Sequence, residues 1–153
     1  MPSMNFSREL TVSADASTCW TVLTDVPRLV DWVSIVDDAK EISPLESYSA
    51  VLLDRLGPFK LRADLDIAVS EVETGRHIRV RAAGEDRQVS SRIAIDATLT
   101  LAPTEGTATV LLIDGSYEVV GKVATLGAGM IRQKAAKILD EFFDRAAAEL
   151  GAG

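Results

Sequence analysis

The side chains of this chain that could do chemistry are a few carboxylates, one histidine and one cysteine. Asp64 and Asp66 are two residues apart, so on an extended strand both side chains share one face, as in a two-carboxylate hydrolase. Arg62 lies on the same face, and the residues between these positions are apolar. We therefore interpret the pair as part of a solvent-facing sheet surface.

The other reactive residues lack the partners that catalysis or metal binding requires. His77 has charged neighbours on the polar side of a predicted strand but no second titratable group that would make it a general base. Cys19 is expected to be a small core residue, and a single cysteine forms no internal disulfide. Gly127-Ala-Gly129 begins like a dinucleotide-binding motif, but Arg132 replaces the third glycine and the context is helical. We predict no catalytic residue, no metal site and no cofactor.

Composition restricts the class of protein. A chain of 153 residues, 47% of them hydrophobic, fits a single domain that spans residues 1–153. Sixteen basic and twenty-three acidic side chains give a net charge of −7, which disfavours nucleic-acid binding. The N-terminus has no secretory signal, and the longest apolar stretch, Val119–Ile131, is too short to span a bilayer. We expect a cytoplasmic protein with at most peripheral contact at the inner face of the membrane.

Periodicity predicts a strand and three helices outside the centre of the chain. Apolar and polar residues alternate over Met4–Val12, which is typical of a half-buried strand. Two short helices are predicted at Ala16–Leu23 and Pro27–Val33, the second with proline in its first turn. One long C-terminal helix is predicted from Gly121 through Phe143.

The centre of the chain is predicted to form an antiparallel meander. Helical periodicity disappears there, and runs of strand-forming residues alternate with turns that contain glycine or proline. With the first strand, the meander gives a sheet of seven strands. Its six strands are predicted at Val36–Ile42, Ser47–Leu56, Phe59–Val72, His77–Ala83, Val89–Leu101 and Thr107–Val119.

Alternation within these strands predicts one apolar and one polar sheet face. Leu61, Ala63 and Leu65 alternate with charged residues, and the next two strands repeat the pattern. Two segments, Tyr48–Leu56 and Val110–Tyr117, are apolar on both sides, so the pattern assigns no face to them.

The space between the apolar face and the long helix is predicted to be incompletely filled. The helix begins with small or apolar residues, and the sheet face combines medium-sized aliphatic residues with alanine. A void of roughly 300 Å³ would cost on the order of 7 kcal/mol, which rivals the stability of a domain. We interpret the small residues as room for a lipophilic ligand; the alternative is that they only let the helix pack closely on the sheet.

Predicted ligand contacts come from the apolar face, the start of the helix and two tryptophans. The tryptophans lie on the two short helices, where an opening is expected, although a role in the core is an alternative. The predicted ligand-binding residues are Trp20, Trp32, Leu65, Ile67, Ile78, Val80, Ile95, Ala97, Leu99, Leu126 and Met130.

Nearly the whole chain, from Phe6 to Arg145, resembles a known family. The segments that carry the resemblance are Leu10-Thr-Val-Ser-Ala-Asp15 with Trp20 and Leu23-Thr-Asp25, Arg55-Leu-Gly-Pro-Phe-Lys60, Glu105-Gly-Thr107, and Gly121-Lys-Val-Ala-Thr-Leu-Gly127 through Phe143. They are similar to the carbon monoxide dehydrogenase CoxG family, within the START-like or polyketide cyclase (SRPBCC) superfamily. The resemblance implies an α+β helix-grip fold: a curved seven-stranded antiparallel sheet, two short helices and one long C-terminal helix.

The resemblance also implies a function. It points to a non-catalytic accessory protein that binds a quinone or a lipid and links a molybdenum hydroxylase to the membrane or its quinone pool. Two alternatives stay open: a polyketide cyclase or aromatase-like enzyme, and a module that binds a hydrophobic segment of another protein. The enzyme would need inward-facing polar groups, for which the candidates are Tyr48, Asp54, Asp114 and Tyr117.

Overall fold

The computed structural model describes residues 4–151, which form one curved antiparallel sheet with helices on its concave side. Seven strands lie in the order β1-β7-β6-β5-β4-β3-β2, and three helices accompany them, so the predicted α+β helix-grip fold is confirmed. The elements are β1 Met4–Val12, α1 Ala16–Leu23, α2 Val26–Val30, β2 Val36–Ser43, β3 Ser47–Leu56, β4 Phe59–Glu73, β5 His77–Asp86, β6 Ser91–Pro103, β7 Thr109–Gly121, a 3-10 segment Lys122–Leu126, and α3 Ala128–Leu150.

The predicted division into an apolar and a polar face is confirmed. In β4, Leu61, Ala63 and Leu65 are buried, whereas Arg62 and Asp64 between them are exposed. Because paired residues of neighbouring strands share a face, the strand register extends this assignment across the sheet.

The register also assigns the two segments that are apolar on both sides. Tyr117 of β7 is paired with Ile95 of β6, so it lies on the inner face. On β3, Ala50 is paired with Leu65, which places Tyr48 and Asp54 on the inner face as well.

Two buried clusters close the two ends of the inner face. The first combines α1, α2, the end of α3 and the adjoining ends of β1, β6 and β7; its buried residues are Val12, Cys19, Val22, Leu23, Trp32, Leu101, Leu111, Ala146 and Leu150. The second combines β3, β4 and the 3-10 segment; its buried residues are Ala50, Leu52, Leu61, Ala63, Leu65 and Val123.

The prediction of one continuous helix from Gly121 is wrong at its beginning. Lys122–Leu126 forms a 3-10 segment, and α3 begins only at Ala128 and continues to Leu150. Gly127 interrupts the helix because its φ of 94° and ψ of 152° belong to a region that is essentially restricted to glycine. Gly129 and Met130 are exposed, so the small residues at this point do not lie over the sheet.

The turn predicted at Gly84–Asp86 is also wrong, because β5 continues through Asp86 and the reversal lies at residues 87–90. Asp86 is 4% exposed, and its carboxylate explains the shift. It accepts hydrogen bonds from the backbone N–H groups of Arg62 (2.7 Å) and Gln88 (2.9 Å). A buried carboxylate needs such donors, and here they fix both the neighbouring strand and the turn.

Helix α2 ends at Val30, before the predicted end at Val33. The chain continues in tighter turns, since the N–H of Trp32 donates to the carbonyl of Leu29 and that of Val33 to the carbonyl of Val30. None of the helices in residues 4–151 is both long and apolar enough to cross a bilayer.

Candidate functional site

The part of the inner face between the two buried clusters is apolar but only partly buried. On β6, Ile95 and Ala97 lie between Ile93, which packs against the second cluster, and Leu101 of the first. The same change from buried to partly buried occurs along β4, β5 and β7. We call these central residues the inner band: Val69, Val80, Ala82, Ile95, Ala97, Ile113 and Tyr117.

Small residues form the floor of the inner band. Ala97 is paired with Val80 on one side and with Gly115 on the other. A Cβ atom on Gly115 would lie 2.1 Å from the carbonyl oxygen of Asp96, so only glycine permits this close approach of β6 and β7. The floor is therefore low where the sheet passes beneath the helix.

Helix α3 lies across the concave side and turns one apolar stripe towards the sheet. The stripe follows helical spacing and contains Ile131, Ala135, Ile138, Leu139, Phe142, Phe143, Ala146 and Leu150. Ala135, Ile138 and Leu139, in the middle of α3, are only partly buried, like the inner band of the sheet. A water-sized probe therefore reaches apolar side chains on both walls.

Ion pairs hold α3 to strands on both sides of the concavity. Asp140 contacts Arg8 of β1 at 2.6 Å, and Lys134 contacts Asp54 of β3 at 2.9 Å. Four strands separate β1 from β3 in the sheet, so the helix bridges the space above the inner band. The two pairs differ in exposure, since the Asp54 side chain is 11% exposed and that of Asp140 is 60% exposed.

Replacing Lys134 by methionine is expected to lower the free energy of unfolding by about 1–3 kcal/mol, because it leaves the carboxylate of Asp54 nearly buried without its cation. Arg8→Met should cost less than about 1 kcal/mol, as is usual for an exposed pair. Urea unfolding measures both values. Equal losses in the two variants would contradict this assignment, whereas the double variant Asp54→Leu with Lys134→Met should recover most of the loss.

The polar groups of the inner face are few, and two of them have strong partners. The hydroxyl of Tyr48 accepts a hydrogen bond from the N–H of Leu45 at 2.8 Å, and Asp54 is paired with Lys134. Tyr117 differs, because its hydroxyl contacts the thioether sulfur of Met4 at 3.3 Å. Burial raises the pKa of Tyr117, which keeps the phenol protonated. Asp114, the remaining candidate, is exposed on the outer face.

The residues first considered for catalysis lie outside the inner band. Cys19 is fully buried in the first cluster, and burial raises the pKa of its thiol, which lowers the fraction of reactive thiolate. The Nδ1 atom of His77 is 3.5 Å from the hydroxyl oxygen of Thr100. Within residues 4–151, no group of three or more His, Cys, Asp or Glu side chains is arranged to hold a metal ion.

The outer face of the sheet carries shallow, charged recesses. One groove of about 660 Å³ is lined by Asp64, Asp66, Arg62 and Arg92, so the paired carboxylates face solvent beside guanidinium groups. A neighbouring recess includes Asp96, and hydrogen bonds from Arg79 lower the pKa of that carboxyl group. Such charged, open surfaces do not suit an apolar ligand.

The predicted ligand-binding residues fall into three groups. Val80, Ile95 and Ala97 lie in the inner band, and Ile67 and Leu99 lie beside it, partly buried. Buried residues are Trp32, Leu65 and Ile78, with exposed fractions between 2% and 5%. At the periphery, Trp20 and Leu126 pack against the clusters, and Met130 is 44% exposed.

Comparison with known proteins decides the family. The sequence model of the carbon monoxide dehydrogenase CoxG family matches residues 9–151, which is nearly the entire chain. The chain belongs to this family. No curated protein sequence matches the chain significantly.

Solved structures show that this CoxG family member has a START-like fold. A conserved protein from Geobacillus kaustophilus matches with a TM-score of 0.84 and 22% identity, over 96% of this chain and 95% of the other. A START superfamily protein from Mycobacterium smegmatis matches with a TM-score of 0.74 and 14% identity, over 95% and 96%. A truncated norcoclaurine synthase from Thalictrum flavum matches with a TM-score of 0.62 and 15% identity, over 99% and 96%.

Four inner-band residues of this CoxG family member were not among the predicted ligand-binding residues. Ile113 and Tyr117 lie in β7, which is apolar on both sides, so alternation gave no face for them. Val69 and Ala82 do alternate correctly, but nothing in their own strands shows where the packed clusters end. Pairing of β7 with β6 in the observed register is the signal that identifies Tyr117.

Proposed function

We propose that this CoxG family member is a non-catalytic accessory protein that binds a quinone or a lipid against the inner band. It would link a molybdenum hydroxylase to the membrane or its quinone pool, through peripheral contact at the inner face of the membrane. One observation carries this proposal: the centre of an apolar sheet face stays partly exposed under a helix, although both ends of the same face are packed.

The energetics favour an apolar occupant. Burial of apolar surface contributes about 25 cal/mol per Å², so a ligand that buries about 300 Å² gains on the order of 7 kcal/mol before association costs. The ligand would replace water against Ile95 and Ile113 of the sheet and Ile138 of the helix. Water gains no hydrogen bonds from these side chains, so its release costs little.

The polar groups of the inner face support binding rather than turnover. Tyr48 accepts a backbone hydrogen bond, and the charges of Asp54 and Lys134 neutralise each other. A general acid or base needs a free group with a pKa near the working pH. Tyr117 is the polar group that lies in the inner band itself, and burial moves its pKa upward, away from neutrality.

Native mass spectrometry of protein purified without detergent tests the proposal. We expect a retained quinone or lipid, together with saturable binding of an environment-sensitive lipophilic dye that decylubiquinone displaces. Absence of both would overturn the small-molecule function. Ligand-free protein that co-purifies with a molybdenum hydroxylase would instead favour a pure interaction module, and turnover of an added polyketide would favour the cyclase alternative.

A further inference from the structure

Tyr117 places the single hydroxyl group of the inner band at a defined position. It is paired with Ile95 of β6 on one side and with Met4 of β1 on the other, so its side chain projects from the same face as theirs. The ring packs beside Phe6, with centroids 6.2 Å apart and an angle of 36° between the ring planes. The side chain is partly buried, so its ring is fixed while its hydroxyl remains accessible.

The hydrogen bond that this hydroxyl makes is a weak one. Among residues 4–151 its partner is the thioether sulfur of Met4, at 3.3 Å, and a thioether is a poor acceptor. A carbonyl oxygen is a better acceptor in the same apolar surroundings, where hydrogen bonds are stronger than in water. A ligand that brings a carbonyl group therefore improves the bond that Tyr117 already makes.

The nearby charge favours the same kind of ligand. Arg132 of α3 lies close enough that its positive charge lowers the pKa of Tyr117, against the larger upward effect of burial. The phenol consequently stays protonated near neutral pH, as a donor, beside a cation. This combination suits an electron-rich oxygen and disfavours a ligand with an ammonium head group.

We propose that Tyr117 determines specificity at the inner band by donating a hydrogen bond to a carbonyl oxygen of the lipophilic ligand. The site then prefers quinones and carbonyl-bearing lipids over hydrocarbons of equal size. This inference rests on the proposed function, because it concerns the ligand of the same site. A second polar contact is not required, since apolar burial supplies most of the affinity.

Displacement of one lipophilic dye by three probes tests this inference: 2-decyl-1,4-benzoquinone, methyl dodecanoate and decylbenzene. Tyr117→Phe is expected to weaken binding of the benzoquinone about five- to tenfold, the effect of one neutral hydrogen bond. Binding of decylbenzene, which lacks an acceptor, should stay within twofold. Equal loss with the methyl ester identifies the carbonyl group, whereas loss with the benzoquinone alone identifies the quinone ring.

Two further variants make the test decisive. Tyr48→Phe removes the other inner-face tyrosine hydroxyl, which is 2% exposed and bonded to the backbone, and should leave the ratio of benzoquinone to decylbenzene affinity unchanged. Met4→Leu removes the competing sulfur and should not weaken benzoquinone binding. Equal changes for all probes in Tyr117→Phe would overturn the inference alone, whereas wild-type protein that binds none of the probes would overturn the proposed function as well.

Discussion

Substitution of Ala97 by phenylalanine is expected to weaken ligand binding at least tenfold while the domain stays folded. Ala97 lies in the centre of the inner band, paired with Val80 and Gly115, so an aromatic ring at this position projects into the space beneath α3. Ligand and ring then compete for the same volume, and overpacking typically costs about 1–3 kcal/mol. The empty protein suffers little, because the ring covers apolar surface that is partly exposed in the wild type.

Ala94→Phe is the matched control for this substitution. Ala94 lies three residues earlier in β6, but its side chain is exposed on the outer face. The same added ring should therefore leave affinity within about twofold. Dye titration measures binding, and thermal unfolding shows that both variants are folded. An Ala97→Phe protein that is folded and binds with unchanged affinity would place the ligand outside the inner band.

The sheet was predictable because its information is local. Alternation along β4 to β6 reports which side chains are inward, and glycine or proline marks most reversals. The end of β5 was not predictable in this way, since Gly84 resembles a turn residue and Asp86 a surface residue. Only the fold brings the carboxylate of Asp86 to the N–H groups of Arg62 and Gln88, and these bonds move the turn.

The start of α3 shows the limit of hydrophobic pattern. Residues 121–131 are small or apolar throughout, and this composition fits a covered helix as well as a 3-10 segment that packs at one end of the sheet. The backbone angles of Gly127 decide between them. The space under α3 consequently has another origin than the predicted one: the packed clusters stop before the centre of the sheet.

Position within the fold also separates inward residues that look alike in sequence. Leu65 and Val80 both alternate with charged neighbours, yet Leu65 is 5% exposed in the second cluster, whereas Val80 is partly exposed in the inner band. Which end of a strand is covered depends on elements distant in the chain, here the 3-10 segment and α3. The contacts predicted for a ligand could therefore be assigned to a face but not to a place along it.

The tryptophans illustrate the same difficulty and lead to the largest expected effect on stability. Trp32 is 2% exposed in the first cluster, and its ring lies 5.4 Å from that of Phe142 on α3, at an angle of 55°. Trp20 only packs against this cluster and is partly exposed. From sequence both residues fit an opening or a core equally well, because each lies on a short amphipathic helix.

Trp32→Ala is expected to lower the free energy of unfolding by about 3–5 kcal/mol, because it leaves a large cavity between α2 and α3. Trp20→Ala should cost less than half as much, since water already contacts part of its ring. Urea unfolding followed by far-UV circular dichroism measures both variants without using tryptophan fluorescence. Equal or reversed losses would mean that Trp32 does not anchor the first cluster. Trp32→Phe retains an aromatic contact with Phe142, so a loss of dye affinity in this milder variant, with stability largely kept, would show that Trp32 contacts the ligand.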